Sequence, residues 1–336
     1  MATKKQTYNE DDIQVFAGLE GIRRKPSMYL GDMNEATWTC VREVADNCLI
    51  GGTYVFSERG ILPLKSFVDK TLDPGSKPYE VHVADIRGVA KTSHSGYYGK
   101  RKLLKLVTAD GYSVTGSLDH PMYSYTSKDL TPDYRKLSEL KVGDMIAIKL
   151  GSNVWAKRDY LGINELSARV LGYLISEGYS GHSERTNEPV FHFGNTDELV
   201  VADIVDALKS LGWEHTVSKT ILTEGKDFYN VYIRGDAVAK LKALGMKSKW
   251  RSHSVRIPFS IMRSTKDSVV SFLQSLFEGD GSAVPNKRIE YATKSERLAR
   301  QLQIVLSNLG IYSKLNSSSK LKDGTLHRVW IERDFT

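Results

Sequence analysis

The sequence contains only two cysteines in 336 residues, Cys40 and Cys48. Two thiols provide neither the paired cysteines of a disulfide-rich domain nor the four ligands of a structural zinc site. The chain has no apolar run approaching the roughly 18 to 20 residues that a membrane-spanning helix requires. Its polar N-terminus lacks the apolar core of a secretory signal. We therefore exclude disulfide-rich secreted proteins and membrane proteins, and we expect a cytoplasmic location.

The net charge of +7 is unevenly distributed. Residues 1–47 carry six Lys or Arg and eight Asp or Glu, so the remaining residues carry +7 − (−2) = +9. A basic excess of this kind is compatible with a polyanionic partner such as DNA. A solvated basic surface explains the charge equally well, so the charge alone assigns no function. The length of 336 residues predicts two or three domains.

The first 47 residues are typical of helical structure, because Asp11 or Asp12 can cap an amphipathic helix that Pro26 ends. The motifs DDIQV, LEGIRRKPSMYLGD and REVADN resemble the beginning of the ATPase domain of DNA gyrase B and topoisomerase IV B subunits. The resemblance implies a bacterial or phage-infected cell. It also implies that Glu43 activates water for ATP hydrolysis and that Asn47 holds Mg²⁺. Taken alone, Glu43 is an ordinary exposed helix glutamate.

The glycine-rich lid and the rest of such a nucleotide pocket do not follow this segment. A piece of 47 residues buries too little surface to form an ATPase. We therefore expect no ATPase activity from this chain alone, and we expect ATP to bind only to a reassembled host protein.

After Cys48 the pattern changes to short, often alternating apolar runs separated by Gly, Asp, Pro and Ser turns. Residues 109–111, Ala-Asp-Gly, are typical of a hairpin turn. The pattern predicts an all-β domain over residues 48–152.

This domain resembles the N-terminal splicing half of inteins, which have the Hedgehog/intein β-fold. Cys48 with the following LIGGTYV resembles the intein start, and VTADGYSVTGSLDHPMYSY resembles the second motif, whose T-x-x-H core here begins with Ser117. The segment LKVGDMI, residues 140–146, resembles the strand that closes this half. Alone, Cys48 is a small buried residue and His120 a turn histidine. Their joint order favours the intein.

The resemblance implies that the Asn47–Cys48 bond is a splice junction. The Cys48 thiol would attack the Asn47 carbonyl in an N-to-S acyl shift, because cysteine is the most nucleophilic side chain near neutral pH. His120 would donate a proton to the departing nitrogen, while Ser117 and Asp119 would orient the reacting groups. Splicing would need no cofactor.

Residues 153–336 contain an internal repeat. Two predicted helices end in an acid followed by glycine, at Glu177 and Asp280. The segments that follow these helices align without gaps at an offset of 98 residues, as the pair Glu198 and Glu296 shows (296 − 198 = 98). Two such units can pack their first helices about a pseudo-twofold axis, which would bring both carboxylates to one end. A solvated acid before a Gly cap is the alternative for either site alone.

The helical motifs VLGYLISEG and LQSLFEGDG resemble the two motif copies of LAGLIDADG homing endonucleases, with Gly172 and Ser275 where the helices approach closely. The resemblance implies that Glu177 and Asp280 bind Mg²⁺ for hydrolysis of double-stranded DNA, and that the strands form a basic saddle in the major groove. The usual catalytic lysine has no clear counterpart, and Arg256 in SVRIPFSI is the candidate basic assist.

The C-terminal splicing motifs of an intein, with their His-Asn pair, do not occur in the sequence. We expect either half of a split intein, spliced in trans with a C-terminal intein and extein fragment, or a truncated product. The leading hypothesis is therefore a multi-domain α+β protein that consists of the gyrase-B-like flank, residues 1–47, the splicing half, residues 48–152, and the endonuclease, residues 153–336. The alternatives are a working endonuclease beside a relic splicing half, and a topoisomerase subunit.

Overall fold

The computed structural model describes residues 48–68, 75–125, 131–182, 189–247, 250–285, 287–321 and 324–332. The helices expected in residues 1–47, with Glu43 and Asn47, lie outside the described residues. The described part is a mixed α+β structure. Within it, no helix combines the length and apolarity needed to cross a bilayer.

The part after Cys48 is built from short antiparallel strands. These are β1 (Tyr54–Ser57), β2 (Gly60–Pro63), β3 (Gly75–Pro78), β4 (His82–Asp85), β5 (Gly88–Lys91), β6 (His94–Tyr97), β7 (Leu103–Val107), β8 (Ser113–Ser117), β9 (Pro121–Tyr125), β10 (Asp133–Lys136) and β11 (Met145–Ile146). They pair in the orders β2-β1-β4-β5, β10-β9-β11, β3-β6 and β7-β8. The predicted hairpin turn at residues 109–111 is confirmed, since β7 and β8 pair up to Val107 opposite Ser113.

The strand predicted over residues 140–146 is much shorter in the structure. Within this segment only Met145 and Ile146 form a paired strand, and their partner is β9. Before them the Asp144 carboxylate accepts the Lys141 N–H at 2.8 Å, and the Asp144 N–H donates to the Lys141 carbonyl at 3.1 Å. This local turn takes the backbone groups that a longer strand would need.

The β1–β2 hairpin lies between two hydrophobic cores. Ile61 belongs to the large core of the repeat units, whereas Leu62 belongs to a small core with Phe67 and Val81. Adjacent strand residues point to opposite faces, so one hairpin can serve both. The β part that follows Cys48 is therefore packed directly onto the repeat units.

The repeat predicted from the sequence is confirmed. The first unit consists of α1 (Glu165–Ser176), β12 (Gly178–His182), β13 (Pro189–Asn195), α2 (Glu198–Ser210), β14 (His215–Ile221) and β15 (Asp227–Ile233). Two further helices, α3 (Asp236–Ala243) and α4 (Phe259–Met262), connect it to the second unit. The second unit repeats the order with α5 (Lys266–Asp280), β16 (Gly281–Val284), β17 (Arg288–Thr293), α6 (Glu296–Leu309), β18 (Lys314–Leu321) and β19 (Gly324–Glu332). The sheet orders β12-β13-β15-β14 and β16-β17-β19-β18 are equivalent.

Helices α1 and α5 approach each other closely at Gly172. A Cβ atom there would lie 2.0 Å from Ser275 Oγ and 2.4 Å from the Phe272 carbonyl oxygen. Only a residue without a side chain fits this crossing, as predicted for the Gly172–Ser275 position. The crossing fixes the ends of both helices relative to each other.

Candidate active sites

The two predicted acids lie at the adjoining C-terminal ends of α1 and α5. Glu177 follows α1, and Asp280 is the last residue of α5. A Cβ atom on Gly279 would lie 2.1 Å from Ser176 Oγ and 3.6 Å from Glu177 Cγ, so the two helix ends are in contact. We call Glu177 and Asp280 the acid pair.

Glycine follows each acid for a steric reason. A Cβ atom on Gly178 or Gly281 would lie 2.2 Å from the carbonyl oxygen four residues earlier, on Leu174 or Phe277. The chain must pass over the last helical turn at once to enter β12 or β16. The acid–glycine pair is therefore part of the turn that aims each carboxylate.

Both carboxyl groups of the acid pair are electrostatically disfavoured as anions. Burial and then the charge of Asp280 raise the pKa of Glu177, against the hydrogen bond from Asn195. Asp280 is exposed towards a cavity, yet desolvation by the surrounding protein still raises its pKa, against the Tyr291 hydroxyl at 3.4 Å. A divalent cation between the carboxylates would remove this repulsion.

The cavity beside Asp280 has a volume of about 350 Å³. Its lining includes Ser180, Trp250, Tyr291 and the half-buried Lys294. Lys294 is thus a basic residue lining the cavity beside Asp280 that the sequence motifs did not reveal. At the 98-residue offset Lys294 corresponds to the exposed Thr196 of the first unit. The repeat therefore has no second lysine at this position that could have marked Lys294 in the sequence.

Arg256, the predicted basic assist, is absent from the lining of this cavity, although the adjacent Val255 contributes to it. Burial and the charge of Arg297 in α6 lower its pKa, while Tyr54 in β1 opposes this change. Its neighbours therefore belong to the contact between the β part and α6. Among the described residues, Lys294 rather than Arg256 shares a cavity with Asp280.

The acid pair fits a hard divalent cation. Each carboxylate accepts a hydrogen bond from a neutral donor at one oxygen, Glu177 at Oε2 and Asp280 at Oδ2. Carboxylate oxygens are the ligands that Mg²⁺ prefers, and Mg²⁺ usually keeps waters and substrate phosphate oxygens in its shell. Two protein carboxylates are therefore enough to hold Mg²⁺. Among the described residues no cluster of three or more His, Cys, Asp or Glu offers a larger set of ligands.

The first unit has an aromatic row on the sheet face opposite its helices. Phe193 and Val231 are fully buried, so the alternating neighbours His192 and Tyr232 face away from the core. Tyr179 pairs with His192 at 5.0 Å between ring centroids, and His192 with Tyr232 at 5.1 Å. The row itself is aromatic, and the Arg234 guanidinium lies over the Tyr232 ring at 5.4 Å, so the basic saddle stays a prediction for this face.

The equivalent face of the second unit carries charges of both signs. Tyr291 and Val329 are buried, so Glu290, Trp330 and Arg328 face away from the core. Four charged side chains on this face form ion pairs: Arg288 with Glu290 at 3.0 Å, and Lys314 with Glu332 at 2.8 Å. The Arg328 side chain adds positive charge to this face, so the two open faces differ in chemistry.

The Cys48 neighbourhood is built by β8 and the turn that follows it. The Cys48 N–H donates to Ser117 Oγ at 3.1 Å, and the Ser117 N–H donates to the Cys48 carbonyl at 2.8 Å. A Cβ atom on Gly116 would lie 3.1 Å from the Cys48 carbonyl oxygen and 3.2 Å from His120 Cγ. Cys48, Ser117 and His120 are therefore neighbours, as the sequence motifs predict.

Asp119 has another partner. Its carboxylate forms an ion pair with Lys136 at 3.0 Å, and 44% of its side chain is exposed. The Leu137 N–H, directly after β10, donates to the His120 carbonyl at 2.9 Å and ties the same turn to the end of that strand. Asp119 thus contacts the neighbouring strand and supports the turn that carries His120.

The half-buried Cys48 borders a cavity of about 860 Å³. Its lining includes Tyr97, Lys65, Lys100 and Arg101.

The second unit holds the turn of the β7–β8 hairpin. The Asp110 carbonyl accepts the Gln303 side chain at 2.9 Å and the Leu315 N–H at 3.0 Å. Arg300 Nη1 donates to the Gly111 carbonyl at 3.3 Å. We call these contacts the turn clamp. Because β8 runs from this turn to Ser117, one hairpin links α6 to the Cys48 neighbourhood.

The second unit matches a known sequence family, and more than half of the chain is similar to parts of known proteins. Residues 267–334 match the sequence model of the LAGLIDADG-like domain. The DNA gyrase A protein of Mycobacterium gordonae is 28% identical over 229 residues, covering 64% of this chain and 39% of that protein. A DNA polymerase of Thermococcus litoralis is 29% identical over 206 residues, covering 60% of this chain and 11% of that protein. The chain spans less than half the length of both relatives.

Solved structures of homing endonucleases are also similar to the chain. Mesophilic variants of I-DmoI share 13% identity, with a TM-score of 0.38 over 51% of this chain and 84% of theirs. I-DmoI in complex with DNA and Ca shares 13% identity, with a TM-score of 0.36 over the same shares. Residues 267–334, which make up most of the second unit, are thus similar in sequence to the LAGLIDADG-like domain, and the first unit has the same order of elements.

Proposed function

We propose that residues 153–336 form a homing endonuclease that hydrolyses phosphodiester bonds of double-stranded DNA with Mg²⁺. The observation that carries this proposal is the acid pair, held by the Gly172 crossing at the meeting ends of two equivalent helices. Carboxylates that repel each other are costly to keep together, and a bound cation offsets that cost. The LAGLIDADG-like sequence of residues 267–334 supports the same function.

In this reaction Glu177 and Asp280 would hold the cation. Mg²⁺ at such a site activates a water molecule and offsets the negative charge that develops on the phosphate. The water oxygen forms a bond to phosphorus, one P–O ester bond breaks, and the departing oxygen takes up a proton. Lys294 in the adjoining cavity would stabilise the phosphate charge.

The endonuclease can be tested even though its target sequence is not known. A pool of duplexes with a randomised central segment is bound to the chain in Ca²⁺, and bound molecules are amplified through several rounds. Transfer to Mg²⁺ should cut the selected duplexes at one reproducible position, read by sequencing of the ends. Bound duplexes that remain intact in Mg²⁺ would contradict the proposal.

A second function, protein splicing, is favoured by the Cys48 geometry. Ser117 accepts the Cys48 N–H, which would fix the amide of the Asn47–Cys48 bond while Cys48 Sγ attacks its carbonyl carbon. A C–S bond would form and the C–N bond would break, with His120 donating a proton to the departing Cys48 nitrogen. The product is a thioester with a new N-terminal amine.

The chain is similar to parts of a DNA gyrase and of a DNA polymerase, two proteins whose names describe unrelated functions. This similarity supports the proposal that the chain contains an inserted element that occurs in different host proteins. Neither name supports a gyrase B host. That assignment, the role of Glu43 in ATP hydrolysis and the Mg²⁺ role of Asn47 rest on the three motifs of residues 1–47 alone. Completion of splicing would need a C-terminal intein fragment, supplied in trans.

Intact-mass spectrometry tests the splicing step. Dithiothreitol should cleave the thioester and release residues 1–47 from the wild-type chain, and Cys48→Ala should release nothing. Ser117→Ala should slow the release, because it removes the acceptor of the Cys48 N–H. A wild-type chain that stays intact, with DNA cleavage present, would favour the alternative in which only the endonuclease works.

A further inference from the structure

The two carboxylates of the acid pair are held by different donors. Glu177 Oε2 accepts a hydrogen bond from the Asn195 side-chain amide. Asp280 Oδ2 accepts a long hydrogen bond, 3.4 Å, from the Tyr291 hydroxyl. Tyr291 is 1% exposed, so its hydroxyl depends on a protein partner. Each donor occupies one carboxylate oxygen and leaves the other for a cation.

The repeat shows that neither donor has a counterpart in the other unit. The 98-residue offset pairs Asn195 with Thr293 and Tyr291 with Phe193. The strand register agrees, because Phe193 lies opposite the glycine after Glu177, and Tyr291 lies opposite the glycine after Asp280. Phe193 has no hydroxyl, and the Thr293 hydroxyl accepts the N–H of the residue that caps α6 at 3.1 Å.

We propose that Asn195 and Tyr291 are positioning residues, each for the carboxylate of its own unit, and that the two DNA strands are therefore cut by non-equivalent halves. The proposal rests on the endonuclease function. The longer Glu177 side chain bonds to the Asn195 amide at the end of β13. The shorter Asp280 side chain accepts from Tyr291 in β17, the strand that pairs with β16 directly after Asp280. Lys294, whose counterpart is Thr196, adds to the same asymmetry.

The repeat supplies conservative test variants. Asn195→Thr and Tyr291→Phe each install the residue that the other unit has at the same position, so both are compatible with this fold. Tyr173→Phe is the matched control. It removes another nearly buried tyrosine hydroxyl that bonds a carboxylate, at 2.7 Å, but that carboxylate is Asp203, outside the acid pair.

The experiment follows both strands of one selected duplex, labelled with a different dye at each 5′ end, in single-turnover cleavage with Mg²⁺. Loss of a residue that orients a metal ligand typically costs about 10- to 100-fold. We expect Asn195→Thr to slow one strand by about tenfold or more, and Tyr291→Phe to slow the opposite strand. Tyr173→Phe should leave both rates within about twofold of the wild type, since it alters no contact of the acid pair.

Calorimetric titration of Ca²⁺ into the uncut protein–DNA complex gives a second readout. Both positioning variants should bind Ca²⁺ about tenfold or more weakly, and Tyr173→Phe should bind it like the wild type. Equal slowing of both strands, or unchanged rates and Ca²⁺ affinity, would overturn the proposal. If the wild type binds Ca²⁺ but cuts no DNA, the endonuclease function fails, and the Ca²⁺ affinities alone then decide whether the two residues position the acid pair.

Discussion

Replacing Gly172 by alanine tests whether the acid-bearing helices must lie this close together. The added Cβ would lie 2.4 Å from the Phe272 carbonyl oxygen, about 1.0 Å short of the 3.4 Å at which ordinary contact begins. Because that oxygen belongs to the α5 backbone, the helices must separate by about this amount. Overpacking of this kind costs about 1–3 kcal/mol, and the better helix propensity of alanine offsets about 1 kcal/mol of it.

The larger effect should appear in catalysis. A displacement of about 1 Å at the acid pair can lower a rate about 100-fold, whereas the expected loss of unfolding free energy is at most about 2 kcal/mol. The assay is single-turnover DNA cleavage in Mg²⁺, with urea unfolding measured on the same preparations. A variant that cleaves at the wild-type rate would refute the role assigned to the crossing.

Two controls make the result specific. Gly52→Ala adds a Cβ whose nearest neighbour is 3.8 Å away, so it should change neither measurement. Adding Ser275→Ala to Gly172→Ala removes the contact of 2.0 Å with Ser275 Oγ but leaves the contact with the Phe272 carbonyl. The double variant should therefore recover only part of the lost rate.

Three further predictions address the rest of the chain. Gln303→Leu removes a side-chain donor of the turn clamp and also the donor to the Ser313 carbonyl, a buried hydrogen bond of 3.0 Å. Thiol-dependent release of residues 1–47 should therefore slow, and the free energy of unfolding should fall by about 1–3 kcal/mol. An unchanged release rate would disprove the link between α6 and Cys48. The hydrogen bond from Lys157, with others from His82, lowers the pKa of Glu58 to about 2. Glu58→Gln should therefore destabilise the protein by its full amount above pH 4.5, and the difference from the wild type should vanish as the pH falls towards 2. Urea midpoints of both proteins across that range measure the difference, and a constant difference would contradict the prediction. Arg328→Ala should lower the slope of log binding constant against log salt concentration by about 0.9 in DNA binding. Tyr232→Ala should weaken binding without changing that slope. Equal slopes in both variants would show that the open faces do not differ as described.

The repeat and its helices could be predicted from the sequence because their signals are local. The apolar spacing, the acid–glycine endings and the 98-residue offset can each be read along a single chain and do not depend on tertiary contacts. The close crossing at Gly172 was implied by the resemblance to LAGLIDADG homing endonucleases, whose motif has a small residue where the two helices approach each other. The hairpin turn at residues 109–111 carried its own Asp-Gly signal.

Other parts of the sites depend on contacts between distant segments. Lys294 lines the cavity beside Asp280 because Tyr291, three residues earlier in β17, pairs with the glycine directly after α5, and no spacing in the sequence encodes that pairing. The surroundings of Arg256 include Tyr54, which lies some 200 positions earlier in the chain, so its place in the fold could not be predicted and its role as the basic assist stays a prediction. The strand predicted over residues 140–146 was too long, because a side-chain contact of Asp144 competes with the strand pairing.

The most direct test of the acid pair compares the wild type with the double variant Glu177→Gln/Asp280→Asn on one selected duplex. Both substitutions keep the shape of the side chain and remove its charge, so DNA binding in Ca²⁺-free buffer should persist. We predict that the double variant leaves the duplex intact in Mg²⁺ over times in which the wild type cuts it completely. Cleavage by the double variant at the wild-type rate would show that the acid pair is not the catalytic centre.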